Sequence, residues 1–134
     1  MRRSPPLSQL AELIREVIAR GGHLEISAVG SSMSPAILPG EGLVLSPLRA
    51  GEPRPGQVAL CSRAGRLIAH RVVERSENRL VTRGDACEVD DPVVAGEEVL
   101  AVVREVRRSP RARTKRALRA LWATATAAAR PGRR

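Results

Sequence analysis

Proton transfer near neutral pH has few candidate groups in this chain. Its 134 residues include one lysine, Lys115, and two histidines, His23 and His70. Lys115 lies in a basic C-terminal stretch. A Ser–Lys pair in the middle of the chain would need that stretch folded back over it, so the histidines are the bases that remain. His23 follows Gly21-Gly22 and reads as a loop residue. His70 sits in the strand-like run Arg66-Leu67-Ile68-Ala69-His70-Arg71-Val72-Val73. Alternation puts Ile68, His70 and Val72 on one face and Leu67, Ala69, Arg71 and Val73 on the other. A histidine among aliphatics is by default a satisfied core residue. A catalytic role needs partners.

Possible nucleophiles are Ser31 and Ser32, in Val29-Gly30-Ser31-Ser32-Met33-Ser34-Pro35. The flanking Gly and Pro permit a tight, irregular backbone. Such a turn can expose a hydroxyl and aim backbone N–H groups at one point, as a nucleophile with an oxyanion site requires. The bland reading is an ordinary polar turn. Acids that could hold an imidazole in the working tautomer are Asp85, Asp90 and Asp91. The bland reading of Gly84-Asp85 is turn chemistry. His23, His70, Cys61 and Cys87 are a conceivable metal set, but no pair has C-x₂₋₄-C or H-x₃₋₅-H spacing, so no metal is expected. The two cysteines read as small buried thiols, with a disulfide as the alternative.

Stepping outward, these residues need elements to place them. A helix is expected over residues 1–22, capped by Ser4, with Pro5 at its first position and Gly21-Gly22 as its stop. Its stripe Leu7, Leu10, Ile14, Val17 and Ile18 should dock on the body. Residues 23–106 carry short aliphatic runs broken by Gly and Pro, with candidate strands at 24–29, 43–46, 57–61, 66–75, 79–83 and 98–106. Many short strands and frequent turns suggest a mainly β body, a largely antiparallel sheet or partly closed barrel. Residues 107–134 form a basic tail, helical over about 111–129, with disorder expected at its end. Leu118, Leu121, Trp122 and Ala125 share a stripe there behind Arg113, Lys115, Arg116 and Arg119.

Composition narrows the function. The formal charge is +9. Residues 104–134 hold 11 of the 23 Lys+Arg and one acid, a net of +10; residues 1–103 hold 12 bases and 13 acids, a net of −1. Charge-driven partners should therefore meet the tail, and an anionic membrane surface is the candidate there. With one Trp and no Tyr or Phe, a base-stacking surface is excluded, so nucleic acid is not an expected partner. No apolar run approaches the roughly 18 residues that span a bilayer, and no secretory signal follows Met1-Arg2-Arg3. The expected location is cytoplasmic, or peripheral at the inner membrane face.

Together these segments resemble signal peptidase I. Gly30-Ser31-Ser32-Met33-Ser34-Pro35-Ala36-Ile37 is similar to its Ser-Met-x-Pro box. Pro55-Gly56-Gln57-Val58-Ala59 resembles its Gly-Asp-hydrophobic strand, with Gln57 in place of Asp. His70-Arg71-Val72-Val73 resembles its His-Arg box, and Thr82-Arg83-Gly84-Asp85 with Val89-Asp90-Asp91 its acidic box. Order and spacing agree over about residues 26–106. The His70-Arg71 pair places the likeness in the branch that uses His rather than Lys as base. The resemblance implies a β-sheet body with a hydrophobic groove in which an extended peptide pairs as an added strand, with small residues favoured before the cut. It implies a serine endopeptidase acting on a leader or precursor peptide without a cofactor. Ser32 would be the nucleophile, His70 the base, Asp91 the group that orients it, and Asp85 a support or substitute. Ser31, Met33 and Pro35 would lie at the oxyanion site and groove. Two other readings compete: a non-catalytic peptide-binding module on the same scaffold, and a DNA-linked self-cleaving regulator. Against the regulator stand the missing lysine base and the single helix ahead of the body.

Overall fold

The computed structural model describes residues 7–108. The expected helix cap at Ser4-Pro5 and the basic tail from 109 onward lie outside the described residues. The order is one helix, α1 (Leu7–Ala19), then β1 (Leu24–Ser27), β2 (Gly42–Ser46), β3 (Val58–Arg63), β4 (Arg66–Ser76), β5 (Arg79–Arg83), β6 (Val94–Ala95) and β7 (Val99–Arg107). A short 3-10 turn, Gly96–Glu98, leads into β7. Gly21, at φ +77°, ends the helix by turning the chain left-handed, and the N–H of Gly22 closes on the Val17 carbonyl at 2.9 Å.

The strands form one antiparallel sheet in the order β1-β2-β7-β3-β4-β5-β6. This corrects the partly closed barrel: β1 and β6 are unpaired edges, and the sheet is open. Strands of four and two residues offer too few backbone groups for a closing ladder. Observed strands lie within about two residues of the expected ones. β6 was not foreseen, because two residues carry no periodicity.

Alternation sends the sheet's apolar residues to two faces. Val58 and Leu60 of β3 join Ile14, Ala11, Leu43 and Leu45 in the larger cluster, with Leu67 and Ala69 packed against it. Ala59, Cys61, Val72, Leu80 and Val94 form the smaller cluster on the other face. Ile14 is fully buried, and burying a side chain of that size stabilises by roughly 1.5–3 kcal/mol. The helix thus shares the sheet's core, and β7 carries the body to Arg107. His70 pairs with Ala59, which puts the imidazole on the face of the smaller cluster, as the alternation of β4 predicts.

A buried ion pair steadies the turn that precedes β3. Glu52 is 6% exposed. Its carboxylate accepts from Arg104 Nη1 and Nη2 at 2.8 and 2.9 Å, from Gln57 Nε2 at 2.7 Å and from the Arg49 N–H at 2.7 Å. Gln57 thus serves turn geometry. The hydrogen bonds from Arg104, above all, hold the Glu52 carboxyl far below its ordinary value of 4.5. A depressed folded-state value means that the pair's stabilisation is complete above about pH 4.5 and is lost as pH falls further. Melting temperature should drop with acidification in that range. Glu52→Gln should flatten the drop and lower stability at neutral pH by on the order of 1–2 kcal/mol, because Arg104, itself partly exposed, loses its counter-charge. Thermal melts of both proteins between pH 2 and pH 7 check this.

Candidate active site

The segment after β1 carries the serines. Gly30 turns the chain at φ +79°, a conformation that side chains with a Cβ rarely adopt. The Ser34 N–H then bonds the Ser31 carbonyl at 3.0 Å, and the Ile37 N–H bonds the Met33 carbonyl at 2.9 Å. Met33 and Ile37 anchor this turn in the larger core cluster. Ser32 stays partly open above them.

Three side chains from separate segments meet there. Ser32 Oγ lies 2.9 Å from His70 Nε2. His70 Nδ1 lies 2.5 Å from Asp91 Oδ2. A carboxylate only accepts, so Nδ1 donates to Asp91; in the neutral imidazole this leaves Nε2 as an acceptor for the serine hydroxyl. This is the tautomer a general base needs. The His70 and Asp91 side chains are 12% and 24% exposed, so water has limited access to the pair.

The other two acids are engaged elsewhere. Asp85 receives Arg71 Nε and Nη2 at 2.8 and 2.7 Å, a two-point clamp that also raises the Arg71 value. Arg71 Nη1 reaches on to the Gly56 carbonyl at 2.8 Å. Asp90 sits 3.4 Å from Arg83 at the surface. Asp85 therefore does not touch the imidazole; it ties the loop after β5 to β4. Ser31 and Pro35 are exposed beside Ser32. Met33, expected at the oxyanion site and groove, is 5% exposed and its side chain packs beneath the turn, where an apolar group gains more from the core than from water. Its sulfur accepts the Asp85 N–H at 3.4 Å.

Sequence reasoning passed over two residues here. Thr82 Oγ1 donates to Asp91 Oδ2 at 2.7 Å. Gly84 leaves room for the site: a Cβ there would lie 2.7 Å from the Ser32 carbonyl, 2.9 Å from Cys87 Sγ and 3.2 Å from His70 Nε2. The Ala86 N–H bonds the Ser32 carbonyl at 2.8 Å and joins the two loops. Thr82 had a visible signal, since alternation from Leu80 places it on the buried face. Gly84 had none beyond turn chemistry.

His23 stays exposed and away from the set. Among the described residues, no group of three or more His, Cys, Asp or Glu is placed to hold a metal. Both cysteines are free thiols. Cys61 is buried, and desolvation, with smaller effects from the Glu98 and Asp91 charges, pushes its thiol up to about 12. Cys87 is exposed. Iodoacetamide at pH 8 should modify one thiol per native chain and two after denaturation in urea, with intact-mass measurement as the check. Two modified thiols in the native protein would contradict this burial.

Among the described residues no helix is long and apolar enough to cross a membrane. In comparison with known proteins, no family model matches the chain and no curated protein matches it.

Proposed function

We propose that this protein is a serine endopeptidase that resembles the His-base branch of signal peptidase I and cuts a leader or precursor peptide. One observation carries the reading: Ser32, His70 and Asp91 stand in hydrogen-bond sequence at 2.9 and 2.5 Å, an order in which a neutral imidazole bonded to Asp91 through Nδ1 can take a serine proton at Nε2. In the forward step His70 takes the Ser32 proton as Oγ attacks the scissile carbonyl. Asp91 then stabilises the imidazolium. His70 returns the proton to the leaving amine, and water repeats the cycle on the acyl-enzyme. The four sequence boxes in order lend independent support, and the open antiparallel sheet is compatible with a peptide added as a strand.

The test uses the purified protein and Ser32→Ala side by side. Both are incubated with a synthetic peptide library bearing small residues before candidate bonds, with and without anionic vesicles, and the products are read by mass spectrometry. Cleavage by the parent alone supports the reading. Equal cleavage by both proteins overturns it, and so does an absence of cleavage under both conditions. Tight peptide binding without cleavage would instead favour a binding module.

A further inference from the structure

We propose that Thr82 is a positioning residue for this site: its buried hydroxyl fixes the Asp91 carboxylate, and through it the imidazole of His70. The rate effect rests on the peptidase reading; the geometry does not. Asp91 needs such a fixture because it belongs to no strand or helix. It lies on the loop between β5 and β6, and its side chain is 24% exposed. A carboxylate in that setting can rotate and exchange its partner for water. Thr82, by contrast, is a strand residue and 2% exposed.

The register explains how the two meet. Val72 of β4 faces Thr82 of β5, so Thr82 lies diagonal to His70 on the same face of the sheet. From there two bonds bracket Asp91. The Asp91 N–H donates to the Thr82 carbonyl at 2.8 Å, and Thr82 Oγ1 donates to Asp91 Oδ2 at 2.7 Å. That same Oδ2 receives His70 Nδ1. One oxygen is thus located by a backbone tether, a buried hydroxyl and the imidazole. A hydroxyl carries a single proton, and here it is spent on the carboxylate. The neighbouring acids do not compete, since Asp85 is held by Arg71 and Asp90 by Arg83.

Two variants separate the hydroxyl from the packing. Thr82→Val keeps the branched shape and a strand-favouring side chain but removes the donor. Thr82→Ser keeps the donor and removes a methyl. On the library peptide that the parent cuts fastest, Thr82→Val should lower kcat by about 10- to 100-fold with KM unchanged, and Thr82→Ser should stay near the parent. In protein carrying labelled histidine, the low-field Nδ1–H resonance of His70 should persist in Thr82→Ser and shift or broaden in Thr82→Val.

Parent-like kcat in Thr82→Val would overturn the proposal. So would an equal loss in both variants, since packing would then be the cause. If the parent cuts no peptide, the peptidase reading fails, and the resonance alone decides: an unchanged signal in Thr82→Val overturns the positioning role, and a displaced one upholds it.

Discussion

Ser32→Ala and His70→Ala should each lower kcat on a cleaved peptide by about 10⁴- to 10⁶-fold, and the double variant should be no slower than the worse single one. The reason lies in the 2.9 Å link between Oγ and Nε2. A serine hydroxyl is a weak nucleophile until its proton has somewhere to go. Without His70 the hydroxyl remains protonated; without Ser32 the imidazole has nothing to activate but water. The two residues perform one step, so their losses overlap instead of adding. On the peptidase reading KM should change little, because both groups act on the reacting bond and not on the rest of the peptide. The fold should survive, since Ser32→Ala removes one side-chain hydrogen bond and His70→Ala two, each worth roughly 0.5–1.5 kcal/mol. Kinetics of the three variants, with thermal melts beside them, check the result. Additive losses would mean that the residues act in separate steps, contrary to the shared proton.

Much of this arrangement was legible in the chain, for reasons that differ by element. β5 matches its expected bounds, 79–83, because Glu77-Asn78 and Gly84 punctuate it at both ends. β1 stops at Ser27, short of the expected 29, because Gly30 takes a positive φ and Val29 is left 93% exposed. The face of His70 followed from alternation alone. Closure of the sheet did not, because it depends on the lengths of the two edge strands rather than on any local pattern. Which acid pairs with the imidazole was legible only through the resemblance, which pointed to Asp91; composition and spacing left three open. Asp85, Asp90 and Asp91 crowd one short loop, and the choice is made by tertiary contacts. Arg71 and Arg83 take two of them, and the Thr82 hydroxyl holds the third. The burial of Met33 was illegible for a related reason. It sits in a polar turn, yet the turn is held down by that side chain. Local composition does not reveal which residues of a loop are its anchors.

The division of labour among the acids leads to a second large effect. Asp91→Asn should lower kcat by about 10⁴-fold, whereas Asp85→Asn should lower it by no more than about tenfold. An amide at position 91 fails in either orientation. With its oxygen toward Nδ1 it preserves the tautomer but has no charge to stabilise the imidazolium. With its NH₂ toward Nδ1 it donates, forces the proton onto Nε2 and removes the acceptor that Ser32 needs. Asp85 acts at one remove. Its carboxylate holds Arg71, whose guanidinium also reaches Gly56, so its loss loosens the loop after β5 without unpairing the imidazole. The Arg71 side chain is 36% exposed, so solvent screens that pair, and its loss should cost about 1 kcal/mol. Measured kcat and melting temperature for the two variants distinguish the roles. Equal losses would mean that Asp85 exchanges with Asp91 at the imidazole during turnover. A silent Asp91→Asn would mean that His70 works without a carboxylate, as a Ser–His dyad in which the Thr82–Asp91 contact serves only to close the loop.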